Sequence, residues 1–152
     1  MKKFIFIMIA VIAISVTGCK SSPPPSAEVK EVEWKLVEVR RGGDHDIKFD
    51  RNTLASEGFP DIFTMTFNNE KFSGKGALNT YTAAAAVGDK YDISVKPVNA
   101  TQTADLTNPE KLREHDFSVY VQNMYKWKIV DEKLEIATKD ENGKDVTLVF
   151  VK

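Results

Sequence analysis

The sequence predicts an α+β fold rich in β-structure: an antiparallel, curled or barrel-like sheet with one long helix inserted before the last strands. Three observations predict it. Short runs of alternating apolar and polar residues recur along the chain, turn residues separate them, and a single helical pattern interrupts them late. With 152 residues, 42% apolar and 28% charged, the chain has the balance of one globular domain rather than of a disordered one. Lys plus Arg number 21 against 22 Asp plus Glu. No basic excess exists to hold a phosphate backbone, so no nucleic-acid partner is expected.

The first element is an address. Met1-Lys2-Lys3 is a short basic start, and Phe4 to Val16 is an uncharged apolar stretch of thirteen residues. At ~1.5 Å per residue it spans about 20 Å, too short for a bilayer core of roughly 30 Å and right for an export signal. It ends on Val16-Thr17-Gly18-Cys19, which resembles the bacterial lipobox. The resemblance implies that residues 1–18 are a lipoprotein signal peptide and that Cys19 becomes the acylated N-terminus. Cys19 is the only cysteine, so no disulfide framework is available. Two or more acyl chains, at ~0.8 kcal/mol per buried methylene, give stable anchoring. Removing residues 1–18 takes away two lysines and no acid, which leaves a mature charge of −3.

Residues 19–31 then read as a lipidated Pro/Ser-rich tether, because Ser21-Ser22-Pro23-Pro24-Pro25-Ser26 favours an extended polyproline segment. At ~3.1 Å per residue, residues 20–28 hold the domain up to about 30 Å from the bilayer. Lys20, rather than Asp, follows the lipidated cysteine. By resemblance to enterobacterial sorting this favours the outer membrane over the inner.

Residues 32–152 form the predicted domain, 121 residues that bury roughly two-thirds of their unfolded surface. Val32, Trp34, Leu36 and Val39 begin it with the alternation of a half-buried strand. Ile62 to Phe67 is a second strand, and Asn68-Asn69 turns it into Lys71-Phe72-Ser73-Gly74. Ala83 to Ala86 is far below the ~12 residues an isolated helix needs. With Gly88-Asp89 as a turn, Thr82 to Val87 and Tyr91 to Lys96 read as another hairpin. Asn108-Pro109-Glu110 supplies an N-cap, a proline at the first helical position and an acid in the first turn. Phe117, Tyr120, Val121 and Met124 fall within about 100° of one another on the helix that follows. Two strands are expected to close the chain. In the first, Tyr125, Trp127 and Ile129 alternate with Lys126, Lys128 and Val130, and Leu134 and Ile136 continue the pattern toward Asn142-Gly143. Val146, Leu148 and Phe150 belong to the returning strand.

Several short motifs, taken in order, resemble the META domain, also called the HslJ-like family. They are Trp34-Lys35-Leu36, then Phe72-Ser73-Gly74-Lys75-Gly76-Ala77-Leu78-Asn79-Thr80-Tyr81, then Val98-Asn99-Ala100-Thr101-Gln102-Thr103-Ala104. The helix, Trp127, Leu134 and Leu148-Val149-Phe150 follow in the family's order, so the resemblance covers about residues 34–150. Their order and spacing carry it. Trp34, Gly74, Gly76, Asn79 and Thr101 are its motif positions, with no role assigned. The resemblance implies a small β-rich domain of bacterial envelope lipoproteins and heat-shock-associated secreted proteins, similar in shape to secretion pilotins, with no established activity or catalytic residues. Many members carry cysteines where this chain has Ala77-Leu78 and Asp105, so a thiol role is absent here.

The residues offer little convergent chemistry. Asp44-His45-Asp46 is the most metal-like cluster, but adjacent residues on an extended chain point to opposite sides, and one His with two carboxylates is a weak donor set. A solvated loop is expected there. His115, between Glu114 and Asp116, reads as a surface residue. No Gly-x-Ser-x-Gly elbow is present, Gly74-Lys75-Gly76 lacks the strand-then-helix context of a dinucleotide fingerprint, and Asp131-Glu132 reads as a solvated turn. Asn79 and Thr101 suit backbone capping and turns. Residues 40–61 are either a functional or mobile cover over one end of the sheet or a packed connection with a short helix near Asn52 to Glu57. The expectation is a non-enzymatic, lipid-anchored envelope protein with no cofactor or metal. It would bind the membrane through Cys19 and a protein of the envelope, or support envelope assembly and stress tolerance. The alternative is a carrier whose barrel-like cavity holds an apolar ligand or lipid.

Overall fold

The computed structural model describes residues 25–42, 45–68, 70–96, 98–101 and 112–152. The strands are β1 (Trp34–Arg40), β2 (Ile47–Lys48), β3 (Thr64–Asn68), β4 (Lys71–Lys75), β5 (Thr80–Val87), β6 (Ile93–Val95), β7 (Asn99–Ala100), β8 (Lys126–Val130), β9 (Lys133–Lys139) and β10 (Asp145–Val151). They form one antiparallel sheet in the order β6-β5-β4-β3-β1-β10-β9-β8, with β2 added to β1 and β7 to β5. The helices are α1 (Arg51–Ser56) and α2 (Glu114–Gln122).

The sheet curls until its two outer strands almost meet, giving a nearly closed barrel with one unsealed seam. A single bridge joins Asp92 to Lys126 across that seam. Ile93 N donates to Tyr125 O at 3.1 Å and Trp127 N to Tyr91 O at 3.0 Å. The Trp127 indole N–H adds a bond to Gly88 O at 3.1 Å. The expected β-rich α+β architecture is the observed one. Alternation drives it: along β5, Tyr81, Ala83, Ala85 and Val87 face inward while Thr80, Thr82, Ala84 and Ala86 face out. Side chains fill the interior, among them Trp34, Phe67, Phe72, Phe117 and Phe150, all at most 1% exposed. Burying each such ring contributes about 1.5–3 kcal/mol.

The two ends of the barrel are covered by different segments. Over one end lies α2, whose buried Phe117, Tyr120 and Val121 are the predicted apolar face; Met124, also buried, falls just beyond its last turn. The helix starts at Glu114 after Arg113, which makes no side-chain cap. The expected start signal at Asn108-Pro109-Glu110 lies outside the described residues. Residues 25–31 close the other end, so the folded body begins before the boundary drawn at residue 32. Val29 is fully buried, Glu31 N donates to Phe67 O at 2.8 Å, and the Trp34 indole N–H donates to Val29 O at 3.0 Å. The Ser26 hydroxyl donates to Asp89 Oδ1 in the turn after β5 at 2.5 Å. The reason is that Val29 gains an apolar cover and Trp34 needs an acceptor for its buried N–H.

Three strands, not two, close the chain. Asp131 (φ 49°) and Glu132 (φ 62°) form a two-residue turn between the paired Val130 and Lys133. This geometry splits the long alternating run into β8 and β9. At the Asn142-Gly143 hairpin the loop is three residues long: Asp140 N donates to Lys144 O at 3.0 Å, and Gly143 takes the left-handed position at φ 78°. The described part of the segment 40–61 packs against the barrel as a connection with a short helix. Asp50 caps α1 through Asn52 N at 2.9 Å, Leu54 and Phe49 are buried, and Arg51 holds the carbonyls of Pro60 and Ile62 at 2.6 and 3.0 Å. No described helix is long and apolar enough to cross a membrane.

Candidate functional site

Three of the five motif positions, Gly76, Asn79 and Thr101, gather beside α2 around a carboxylate that the sequence reading passed over, and Gly74 lies opposite Tyr81 in the adjoining ladder. The turn from Gly76 to Asn79 closes when Gly76 N donates to Asn79 O at 2.7 Å. That turn aims three successive backbone N–H groups inward. Ala77 N and Leu78 N donate to Glu114 Oε2 at 2.8 and 3.1 Å, and Asn79 N donates to Oε1 at 3.3 Å. The Tyr81 hydroxyl donates to the same Oε1. Two oxygens offer about four lone-pair sites, so four donors saturate the carboxylate. Burial first, and then the bond to Glu114, push the Tyr81 phenol above its ordinary range.

The glycines are there for space. A methyl group at Gly76 would overlap the Glu114 carboxylate, and one at Gly74 would stand 2.7 Å from Thr64 O and 2.9 Å from the Phe72 ring. Thr101 and Asn79 tie β7 to the turn. Thr101 Oγ1 accepts from Thr80 N at 3.0 Å and donates to Asn79 Oδ1 at 3.3 Å. Beneath them Phe63 sits at φ 52°, a backbone conformation costly for an aromatic residue. Leu36 N donates to its carbonyl at 3.0 Å, and its ring packs against Phe49 and Phe117 with centroids 5.3 and 5.1 Å apart. The arrangement is a polar knot that fastens α2 to β4 and β5. Trp34, the fifth motif position, lies apart and clamps residues 25–31.

The other expected residues do not gather. Cys19 and Asp44 lie outside the described residues. His45 is exposed. Asp46 Oδ1 accepts from Arg41 N and Gly42 N at 2.7 and 3.1 Å, a turn cap. His115 is exposed and lies 3.4 Å from Glu141. Among the described residues, no three His, Cys, Asp or Glu side chains are placed to hold a metal ion.

Two further polar features stand on the outer surface. Glu135, only 8% exposed, takes Arg40 Nη1 and Lys128 Nζ at 2.8 Å each, and Arg40 also reaches Glu38 at 2.9 Å. Burial alone would raise the Glu135 pKa, but the bonds from Lys128 and Arg40 outweigh it and hold the carboxyl below its usual range. Beside α2, a cleft of about 190 Å³ is lined by Arg41, Arg113, Asp116, Tyr120 and Asp140. Arg41 Nε and Nη2 are buried there without a hydrogen-bond partner among the described residues, 3.6 Å being the Nη2 distance to Asp116 Oδ2. No local pattern announces these groups, because Arg41, Arg113 and Asp140 meet only through the fold.

A small, side-chain-filled antiparallel barrel, closed by a helix at one end and by its own N-terminal segment at the other, is thus the class of protein in hand. No family model matches the chain, and no curated protein matches it. Solved structures do resemble it. A protein from Burkholderia xenovorans, determined by NMR, superimposes with a TM-score of 0.55 at 15% identity, covering 93% of this chain and 97% of that one. A DUF4847 family protein from Bacteroides vulgatus superimposes with a TM-score of 0.53 at 17% identity, covering 83% of this chain and 95% of that one. At such identities the likeness is one of fold alone.

Proposed function

We propose that the chain is a non-enzymatic, META-like (HslJ-like) lipoprotein of the bacterial cell envelope. In this reading acylated Cys19 anchors it, in the outer membrane rather than the inner. Its barrel binds another envelope protein, or supports envelope assembly and stress tolerance. One observation carries the reading: the motif residues Gly76, Asn79 and Thr101 build a knot whose central carboxylate has all its acceptor sites taken by its own chain. Such a group holds α2 in place and has no lone pair left for a substrate. The lipobox-like Val16-Thr17-Gly18-Cys19 supports the anchor. The test is crosslinking in intact cells: a reproducible neighbouring protein supports the reading, and recovery of no specific neighbour overturns it.

A second reading, a carrier of an apolar ligand or lipid, is favoured by the unsealed seam between β6 and β8, beside Tyr91 and Trp127. Native mass spectrometry of the purified protein before and after denaturation tests it. A released lipid mass supports the carrier, and a bare protein mass refutes it.

A further inference from the structure

The place where the chain joins the barrel determines which surface a lipid anchor would bring to the membrane. Ser26 is fixed to Asp89, in the turn between β5 and β6, through its hydroxyl. Six residues lie between Cys19 and Ser26, seven residue steps in all, so the lipidated cysteine lies at most about 25 Å away even with the chain fully extended. The same turn carries Lys90, which is exposed and makes no ion pair among the described residues, and Tyr91, which is 49% exposed. At the opposite end stand α2 and the hairpin loop between β9 and β10. Seven-residue strands such as β1 and β10, tilted as barrel strands are, rise about 15 Å along the axis, and the helix beyond them adds about 10 Å. For the α2 end to touch lipid, the chain from Ser26 would have to be drawn to its full length along the whole barrel, whereas the N-terminal end is reached with no extension.

We propose that the anchored protein stands on its N-terminal end, with Tyr91 and Lys90 resting in the lipid headgroup layer and the α2 end directed away from the bilayer. This rests on the lipid-anchored reading above. Tyrosine suits the interface because its ring is apolar and its hydroxyl stays wet. A neighbouring lysine keeps its ammonium among lipid phosphates while its stem lies along the acyl boundary. The arrangement leaves the Arg41–Arg113 cleft and the Glu114 knot facing outward, where a protein partner can reach them.

The experiment compares K90C with K144C, two exposed lysines in turns at opposite ends, in the acylated full-length protein. Acylation of Cys19 leaves the introduced thiol as the only one in the chain. Each protein is labelled with an environment-sensitive fluorophore and placed in phosphatidylcholine–phosphatidylglycerol vesicles containing a headgroup-attached nitroxide lipid. The expected result is quenching several-fold stronger at 90 than at 144. Equal quenching, or stronger quenching at 144, with an acylated intact mass would overturn the orientation alone. An intact mass without acyl chains would overturn the anchor and the orientation together.

Discussion

Glu114→Ala removes the acceptor on which the polar knot is built. Three backbone N–H groups lose their partner, at residues 77, 78 and 79, along with the hydroxyl of Tyr81. A buried donor left unmet costs about 1–3 kcal/mol. Residues 77–79 are half-buried and water recovers part of that loss, whereas Tyr81 is 1% exposed and keeps only the Ser118 side chain as a partner. The expected total is about 3–4 kcal/mol, a large share of the ~5–15 kcal/mol that holds a domain of this kind together. At roughly 4 °C per kcal/mol for a domain of this size, the melting temperature falls by about 12–16 °C. Glu114→Gln keeps the shape and one carbonyl oxygen but turns an amide N–H₂ toward donors, so about 1–2 kcal/mol is expected. Urea unfolding followed by tryptophan fluorescence reads both, because Trp34 and Trp127 are buried in the folded state. In a double-mutant cycle Tyr81→Phe should cost less in the Glu114→Gln background than in the wild type, with a coupling of about 1 kcal/mol. A loss below about 1 kcal/mol for Glu114→Ala, or additivity in the cycle, would refute the view that this carboxylate fastens α2 to the barrel.

Gly76→Ala should destabilise by about 2–4 kcal/mol through overlap with the Glu114 carboxylate, and markedly less in a Glu114→Ala background where that carboxylate is gone; urea midpoints of the four proteins decide it. Trp34→Phe removes the N–H that holds Val29 O and leaves a cavity where the larger indole stood, so it should cost about 2–4 kcal/mol and speed amide exchange at residues 29–31 more than in β9 and β10. Glu135 has a carboxyl held below its ordinary range, so in acid the unfolded chain binds a proton before the folded one does. Its contribution is present above the unfolded carboxyl pKa and is lost as pH falls through the folded value. Stability should therefore drop between about pH 5 and pH 3, with a shallower drop in Glu135→Gln; equal slopes in denaturant titrations would contradict this. Cys19→Ser should abolish incorporation of labelled palmitate in growing cells, and retained label would place the acyl chain elsewhere.

How far the chain's own patterns reach is clearest at particular residues. The shortness of the alanine run and the Gly88-Asp89 turn marked a strand over Thr82 to Val87, and helical spacing marked Phe117, Tyr120 and Val121, because turn residues, run length and period are local properties of neighbouring residues. Asp131-Glu132 reads as a turn, and the inward phase moves there from odd positions (Trp127, Ile129) to even ones (Leu134, Ile136); counting Leu134 and Ile136 with the preceding run is what merged β8 and β9 into one expected strand. The motif glycines were visible as letters without a reason. Gly76 is small because of Glu114, thirty-eight positions further along the chain, and no count within one segment relates them.

The sequence by itself determined the fold class, the helical face of α2, the absence of an internal disulfide and the lipobox-like start. Each follows from composition, spacing or a contiguous motif. Only the tertiary structure decided that Glu114 fills the nest of residues 77–79, that Glu135 is sandwiched between Arg40 and Lys128, and that Val29 closes the barrel beneath Trp34. The physical reason is shared by all three. A buried polar group takes whichever partner the folded chain brings within about 3 Å, and barrel closure, not sequence distance, chooses that partner.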